Sequence, residues 1–346
     1  MASDDRRTQS LAAKLAEAER PFVGYHILAS EAYAAPLRER AALALSDARA
    51  LADRGIALSP FLEIGAGSGQ RSLALQNACG ATGVASDISR SALRNAPYVL
   101  SVLDYVELPL LLCCDAHRLP FLPCSFAFVF AYRTLHHLND PEPVVAECYR
   151  VLAKGGHWFC NEEPLDTPLK RRLRGDRVLS RPPTRLQRIA TRLGIERYFW
   201  DDVAVERAAG ITEARFLPAT WRRALRPFAH VEMEINRRLR VHTDLRRPGL
   251  SRWIAERVGG NVKALCRKEE GEALSGPPTA RLMCLRCGAT MHLGARDEPF
   301  LTCTACGRRY PILNGILCML PDALETALCA PQTAFSESSN EVEQTA

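Results

Sequence analysis

The sequence predicts an α/β fold built on a doubly wound, mostly parallel sheet. Short apolar segments of strand character alternate with helical stretches from residue 56 to about 164. A glycine cluster, Gly65-Ala66-Gly67-Ser68-Gly69, falls between the first of those segments and the helix after it. The composition, 47% hydrophobic and 24% charged, is that of a globular chain able to bury a substantial core.

The elements follow in order. Residues 8–55 read as helical, with apolar and alanine positions at helical spacing and Gly55 as the cap. PFLEIG reads as a strand, GATGVASDIS as a strand and turn, and SALRNAPYVLSV as a helix. VELPLLLCCDA and SFAFVFAYR are strand-like. The next helix has Asp140 as its cap, Pro141 in its first turn and Gly155–Gly156 as its end. GHWFCNEEP reads as a buried strand. HVEMEINRRL and NVKALCRKE are further strands that would complete the sheet.

Before those two strands, residues 165–225 are rich in Arg and Pro and read as a helical insertion or lid. The chain therefore divides into an N-terminal helical segment (1–55), a sheet domain (56–269), a linker (270–280), a cysteine-bearing module (281–322) and a polar tail (323–346).

Several classes are excluded or disfavoured. No apolar run approaches the roughly 18 residues that a membrane helix requires. MASDDRRTQSLAAK has no apolar core of a secretory signal, so a cytoplasmic protein is expected. The 13 cysteines are odd in number, which argues against a disulfide framework. Six of them (Cys79, Cys113, Cys114, Cys124, Cys148, Cys160) lie in largely apolar segments, where cysteine behaves as a small buried hydrophobe.

The net charge of +6 is local in origin. Residues 170–197 hold ten Lys/Arg against two acidic residues. Arg181, Arg185, Arg188 and Arg192 recur at helical spacing, with Leu186, Ile189 and Leu193 on another face. Such a helix is either a solvated amphipathic element or a surface for an anionic partner, including RNA or acidic lipid.

The glycine cluster excludes two common phosphate sites. A dinucleotide fingerprint needs glycine at position 70, where Gln70 stands, and no Gly-Lys-Ser/Thr follows. The spacing Glu63-x-Gly65-Ala66-Gly67-x-Gly69 resembles motif I of the class I S-adenosylmethionine-dependent methyltransferases. Asp87, followed by Ile88, ends the second strand, and Asp115-Ala116 follows the third. YRTLHHLNDPEPVVAECYRVLAKGG resembles the small-molecule branch that includes the ubiquinone/menaquinone C-methyltransferases. The ordered resemblance runs from about residue 60 to 164.

It implies a Rossmann-like fold and S-adenosyl-L-methionine as cofactor. Glu63, Gly65, Ala66, Gly67 and Gly69 would form the cofactor turn. Asp87 would accept the ribose hydroxyls with Ile88 beside it, and Asp115 and Ala116 would hold the adenine. Tyr132, His136 and His137 emerge after the fourth strand and are candidates to act on the acceptor. Either histidine could serve as a base or pack against the cofactor.

Cys284-x2-Cys287 and Cys303-x2-Cys306 lie 15 residues apart, the spacing of a four-thiolate Zn2+ site, with a redox pair as the alternative. The surrounding text resembles a zinc-ribbon family whose free-standing members bind and activate methyltransferases of tRNA, rRNA and a release factor. That resemblance implies docking on the sheet domain through Ile316, Leu317, Met319 and Leu320.

The expected function is methyl transfer to a small-molecule, lipid or sugar-containing acceptor. The alternatives are a tRNA/rRNA methyltransferase and a cofactor-binding scaffold without catalysis. Residues 131–134, Ala-Tyr-Arg-Thr, stand where nucleic-acid enzymes carry an Asn-Pro-Pro-Tyr-type motif, which weakens the first of these.

Overall fold

The computed structural model describes residues 31–166, 215–236, 260–274, 276–293 and 299–322. The helical reading of residues 8–30, the arginine helix around Arg181–Arg192 and the tail lie outside the described residues. No described helix is long and apolar enough to cross a membrane.

The first described element is helix α1 (Glu31–Ala52). Leu37, Ala41, Ala44, Ala48 and Leu51 are buried along one face, at the spacing that makes a helix side with one neighbour. Gly55, at φ 76°, lets the chain turn after the helix. Strand β1 (Phe61–Ile64) follows, buried at every position as a central parallel strand requires.

Then come α2 (Gln70–Cys79), β2 (Gly83–Asp87), α3 (Arg90–Leu93), α4 (Ala96–Val102), β3 (Leu110–Cys114) and β4 (Phe126–Tyr132). Helix α5 (Glu142–Val151) leads into β5 (Leu152–Leu165). Helix α6 (Pro218–Ala224), β6 (His230–Asn236) and β7 (Gly260–Arg267) complete this part of the fold.

The sheet runs in the order β3-β2-β1-β4-β5-β7-β6. The strands from β3 through to β5 pair in parallel, and β7 is antiparallel to both β5 and β6. The doubly wound, mostly parallel sheet expected from the sequence is present. Strand order reverses between β1 and β4, and open sheets of this kind take ligands beyond the carboxyl ends of the strands at that point.

Two local expectations need correction. The stretch 91–102 is two short helices, α3 and α4, separated at Arg94-Asn95, with Pro97 in the first turn of the second. The helix after Asp140 ends at Val151 rather than at Gly155–Gly156. Leu152 already pairs with Phe126, and the register then shifts before His157 meets Phe128. Lys154 and Gly155 donate their N–H groups to Glu272 and Lys268 carbonyls, so residues 152–156 are drawn into the strand by partners distant in sequence.

The described residues of the C-terminal segment form five short strands: β8 (Leu282–Met283), β9 (Thr290–Met291), β10 (Phe300–Thr302), β11 (Arg309–Leu313) and β12 (Ile316–Met319). Strand β12 pairs in parallel with β3, Ile316 opposite Leu111 and Met319 opposite Cys114. With β11 and β10 beyond it, the sheet reaches ten strands.

Both faces of β12 are buried. Ile316, Cys318 and Leu320 pack with Ala66, Ala85, Leu93 and Cys113, while Leu317 and Met319 join the main core with Leu112, Phe121 and Phe126. Each such side chain removed from water contributes roughly 1.5–3 kcal/mol. Covering β3 also removes an exposed parallel edge.

Candidate functional site

The glycine turn leaves β1 and enters α2. Gly65, Gly67 and Gly69 have φ of 64°, 57° and 78°, values at which a side chain would be strained. The Ala66 N–H donates to Ser86 O at 2.9 Å, which ties the turn to β2. A Cβ on Gly65 would lie 2.2 Å from Thr134 Cγ2, so the second residue after β4 occupies the space that glycine vacates.

Asp87 joins turn and strand. Its Oδ2 accepts from Gly67 N–H at 2.7 Å and its Oδ1 from Ser89 N–H at 2.8 Å. Ile88 packs beside Ala66 and Leu93. After β3, the Asp115 carboxylate accepts from His117 N–H at 2.9 Å and lies 2.7 Å from His117 Nδ1. Ala116 packs against the main core. The sequence-predicted residues from Gly65 to Ala116 therefore gather at the carboxyl ends of β1, β2 and β3.

Glu63 lies inside the sheet and is fully buried. Its Oε2 accepts from Ser72 N–H at 3.0 Å and Ser72 Oγ at 2.5 Å, while Oε1 has no hydrogen-bond partner. Burial pushes its carboxyl up to about 7, although Arg71 and Ser72 oppose the shift.

The ends of β4 and β5 carry a second group. Glu163, fully buried, accepts from the N–H groups of Thr134 (2.7 Å), Leu135 (3.0 Å) and His136 (3.2 Å). His136 Nδ1 lies 3.0 Å from the same carboxylate. Burial would raise the Glu163 carboxyl. The His136 contact and the backbone N–H groups outweigh burial and hold it below its ordinary value.

Of the three residues expected to act on the acceptor, the two histidines lie together and Tyr132 is turned toward Asp47. The Tyr132 hydroxyl donates to Asp47 Oδ2 at 2.9 Å, and its ionisation is suppressed by burial and by that carboxylate. His136 is buried with Glu163. His137 is exposed, its ring centroid 4.1 Å from that of His136.

Asp47 was not singled out by the sequence. It accepts from Asn161 Nδ2 at 2.8 Å and Lys263 Nζ at 2.7 Å as well as from Tyr132, joining α1 to β4, β5 and β7. Arg71 lies over the Tyr132 ring at 4.6 Å and 3.6 Å from the Glu162 carboxylate. A signal was available: Asp47 interrupts a helix face otherwise made of Ala41, Ala44, Ala48 and Leu51.

The four cysteines of the C-terminal segment come together. All four sulfurs lie within 4.8 Å of one another, with Cys284–Cys306 at 3.7 Å and Cys287–Cys303 at 3.6 Å. Sulfurs placed tetrahedrally around zinc at about 2.3 Å would stand about 3.8 Å apart, so this set fits the ion.

Gly288 N–H donates to Cys284 O and Gly307 N–H to Cys303 O, closing two equivalent turns. Burial opposes ionisation of Cys284, but hydrogen bonds from the Tyr310 hydroxyl and from the Cys287 and Arg286 N–H groups bring it down to about 6. Among the described residues no cysteine is in a disulfide. The segment grips the sheet domain closely: Arg118 Nη2 donates to Leu285 O at 2.5 Å, and Met283 N–H to Pro120 O at 2.9 Å.

Residues 62–160 match the family model described as a methyltransferase domain, less than a third of the chain. No curated protein matches the chain. Among solved structures, it resembles one of a complex between the Haloferax volcanii Trm112 methyltransferase activator and a methyltransferase. That likeness has 18% identity, 69% of this chain and 97% of the other covered, and a TM-score of 0.38. It also resembles an S-adenosylmethionine-dependent methyltransferase of Thermotoga maritima, at 16% identity with 74% and 99% covered and a TM-score of 0.40. The segment that matches the methyltransferase-domain model thus lies on the Rossmann-like sheet, and a four-cysteine cluster follows it in the chain.

Proposed function

We propose that the chain is an S-adenosylmethionine-dependent methyltransferase acting on a small-molecule, lipid or sugar-containing acceptor. The reading rests above all on one contact, the Gly67 N–H held by the Asp87 carboxylate inside the segment that matches the methyltransferase model. It brings a side-chain-free turn and a strand-end carboxylate to the switch point of the sheet. That pairing suits a ligand with a ribose and a tail that must approach the backbone closely.

Gly65, Ala66, Gly67 and Gly69 would hold the cofactor's tail, Asp87 and Ile88 its ribose, and Asp115 and Ala116 its adenine. Glu63 supports the turn from beneath through Ser72. When bound, the cofactor supplies a methyl group on a sulfonium, already activated toward a nucleophile. The chain's task is then mainly to position and to exclude water.

Thr134, wedged against Gly65, fixes the distance between turn and β4. Glu163 fixes the backbone of residues 134–136. Tyr132 is engaged by Asp47 and His136 by Glu163, and His137, exposed beside His136, would be the imidazole nearest solvent to meet an acceptor.

The four cysteines would hold a structural Zn2+, since four protein thiolates leave no open position. The ribbon would stabilise the sheet domain by covering β3.

Calorimetry with S-adenosylhomocysteine tests the reading. Micromolar binding by the intact chain, abolished in Gly67→Arg, is expected. An intact, folded chain that binds neither this compound nor S-adenosylmethionine would sink it. Metal analysis of the purified chain should find one zinc per chain.

A further inference from the structure

The charges at the open end of the sheet are unevenly matched. Each carboxylate there has partners within the chain. Asp87 has the Gly67 and Ser89 N–H groups, Asp115 has His117, Glu162 has Arg71, and Glu163 has three N–H groups and His136. Two nearby cations are also committed, Arg71 to Glu162 and the Tyr132 ring, and Lys263 to Asp47.

Arg133 differs. Its side chain is exposed, and its guanidinium has no hydrogen-bond or ion-pair partner among the described residues.

Its backbone is unusual as well. Arg133 has φ 51°, in the left-handed region that is uncommon for a residue with a side chain. The conformation persists because its surroundings fix it on both sides. Tyr132 before it is pinned to Asp47, its own N–H donates to Asn161 O at 3.3 Å, and Thr134 after it is held by Glu163 and fills the space against Gly65.

Strained positions held this firmly cluster at ligand sites. The result here is an unpaired cation directly after β4, one residue before the Thr134 that packs against Gly65, at the switch point of the sheet. A guanidinium so placed suits an anion that presents two oxygens side by side, a carboxylate or a phosphate, which it can meet with two parallel hydrogen bonds.

Resting on the methyltransferase reading, we propose that Arg133 is a specificity-determining residue that binds an anionic group, carboxylate or phosphate, on the methyl acceptor.

The test uses the full-length chain with radiolabelled S-adenosylmethionine and a deproteinised small-molecule and lipid extract of its source cells. The labelled product should be retained on an anion exchanger. Release of the label by phosphatase or phosphodiesterase treatment identifies a phosphate, and retention after both identifies a carboxylate. Arg133→Ala should lower labelling by about tenfold or more, and Arg133→Lys should recover part of it.

Binding of S-adenosylhomocysteine should stay within about twofold of the parent chain in both variants, since the proposal places Arg133 on the acceptor. A neutral or cationic labelled product overturns the proposal. So does the absence of any labelled product from a chain that binds S-adenosylhomocysteine, or undiminished labelling by Arg133→Ala. A parent chain that does not bind the cofactor overturns the methyltransferase reading itself.

Discussion

The Tyr132 hydroxyl donates a 2.9 Å hydrogen bond to Asp47, fastening the end of a central strand to a helix that precedes the whole sheet. The same carboxylate holds Asn161, the register partner of Tyr132 on β5, and Lys263 on β7. Asp47→Ala would leave three polar groups without their acceptor and should cost about 3 kcal/mol by urea denaturation. Tyr132→Phe should cost about 1 kcal/mol. Because both changes remove one shared contact, the double variant should lose less than the two singles combined. Additive losses would show that the network is not a unit.

Glu163 makes a prediction about acid. Its carboxyl ionises below the ordinary range in the folded chain, so the folded state holds fewer protons than the unfolded one as pH falls. The stabilisation is fully present above the unfolded value near 4.5 and is lost as pH drops through the folded value. Glu163→Gln should be destabilised by about 1–3 kcal/mol at neutral pH, with the gap to the parent narrowing in acid. A gap independent of pH would count against the assignment.

Glu63 acts in the opposite sense. Its folded value is raised to about 7, so between about 4.5 and 7 the folded chain keeps a proton that the unfolded chain has lost. The contribution of this group favours folding in mild acid and declines as pH rises to 7. At pH 8 the buried charge costs roughly 3 kcal/mol. Stability curves for Glu63→Gln should be flatter than those of the parent over that interval. Parallel curves would place the charge elsewhere.

Removing the Zn2+ proposed for the four cysteines should be felt well beyond residues 281–322. Leu301, Cys303 and Tyr310 belong to the same apolar cluster as Phe121 and Phe126. Chelation, or Cys303→Ser, should lower the melting temperature by roughly 5 °C or more, in a single transition that includes the sheet domain. A separate, small transition for the ribbon would show that the two parts melt independently.

What could be read from the sequence follows from how local each signal is. β1, β2 and β4 were legible because central parallel strands are apolar at nearly every position, and the cysteine set because its spacing alone defines it. The end of α5 was not. Residues 152–156 carry good helical termination signals in Gly155 and Gly156, yet Leu152 pairs with Phe126 and Lys154 is drawn to Glu272. Asp47 and Lys263 were invisible for a related reason. They stand 216 positions apart, and neither is unusual until the fold brings them within 2.7 Å. Tyr132 and His136 were noticed for their chemistry, but chain position could not show that Asp47 and Glu163 already engage them.

The parallel pairing of β12 with β3 also sets an order of events during synthesis. Leu111 and Ile316 are register neighbours, yet about 200 residues separate them along the chain. At ribosomal rates of about 5–20 residues per second, β3 emerges some 10–40 s before the strand that covers it. Until then its edge is an unpaired parallel strand flanked by apolar side chains, open to pairing with another nascent chain. The chain's most vulnerable moment therefore falls late in translation, and production at low temperature or with chaperones should raise the soluble yield most when the ribbon is truncated or mutated.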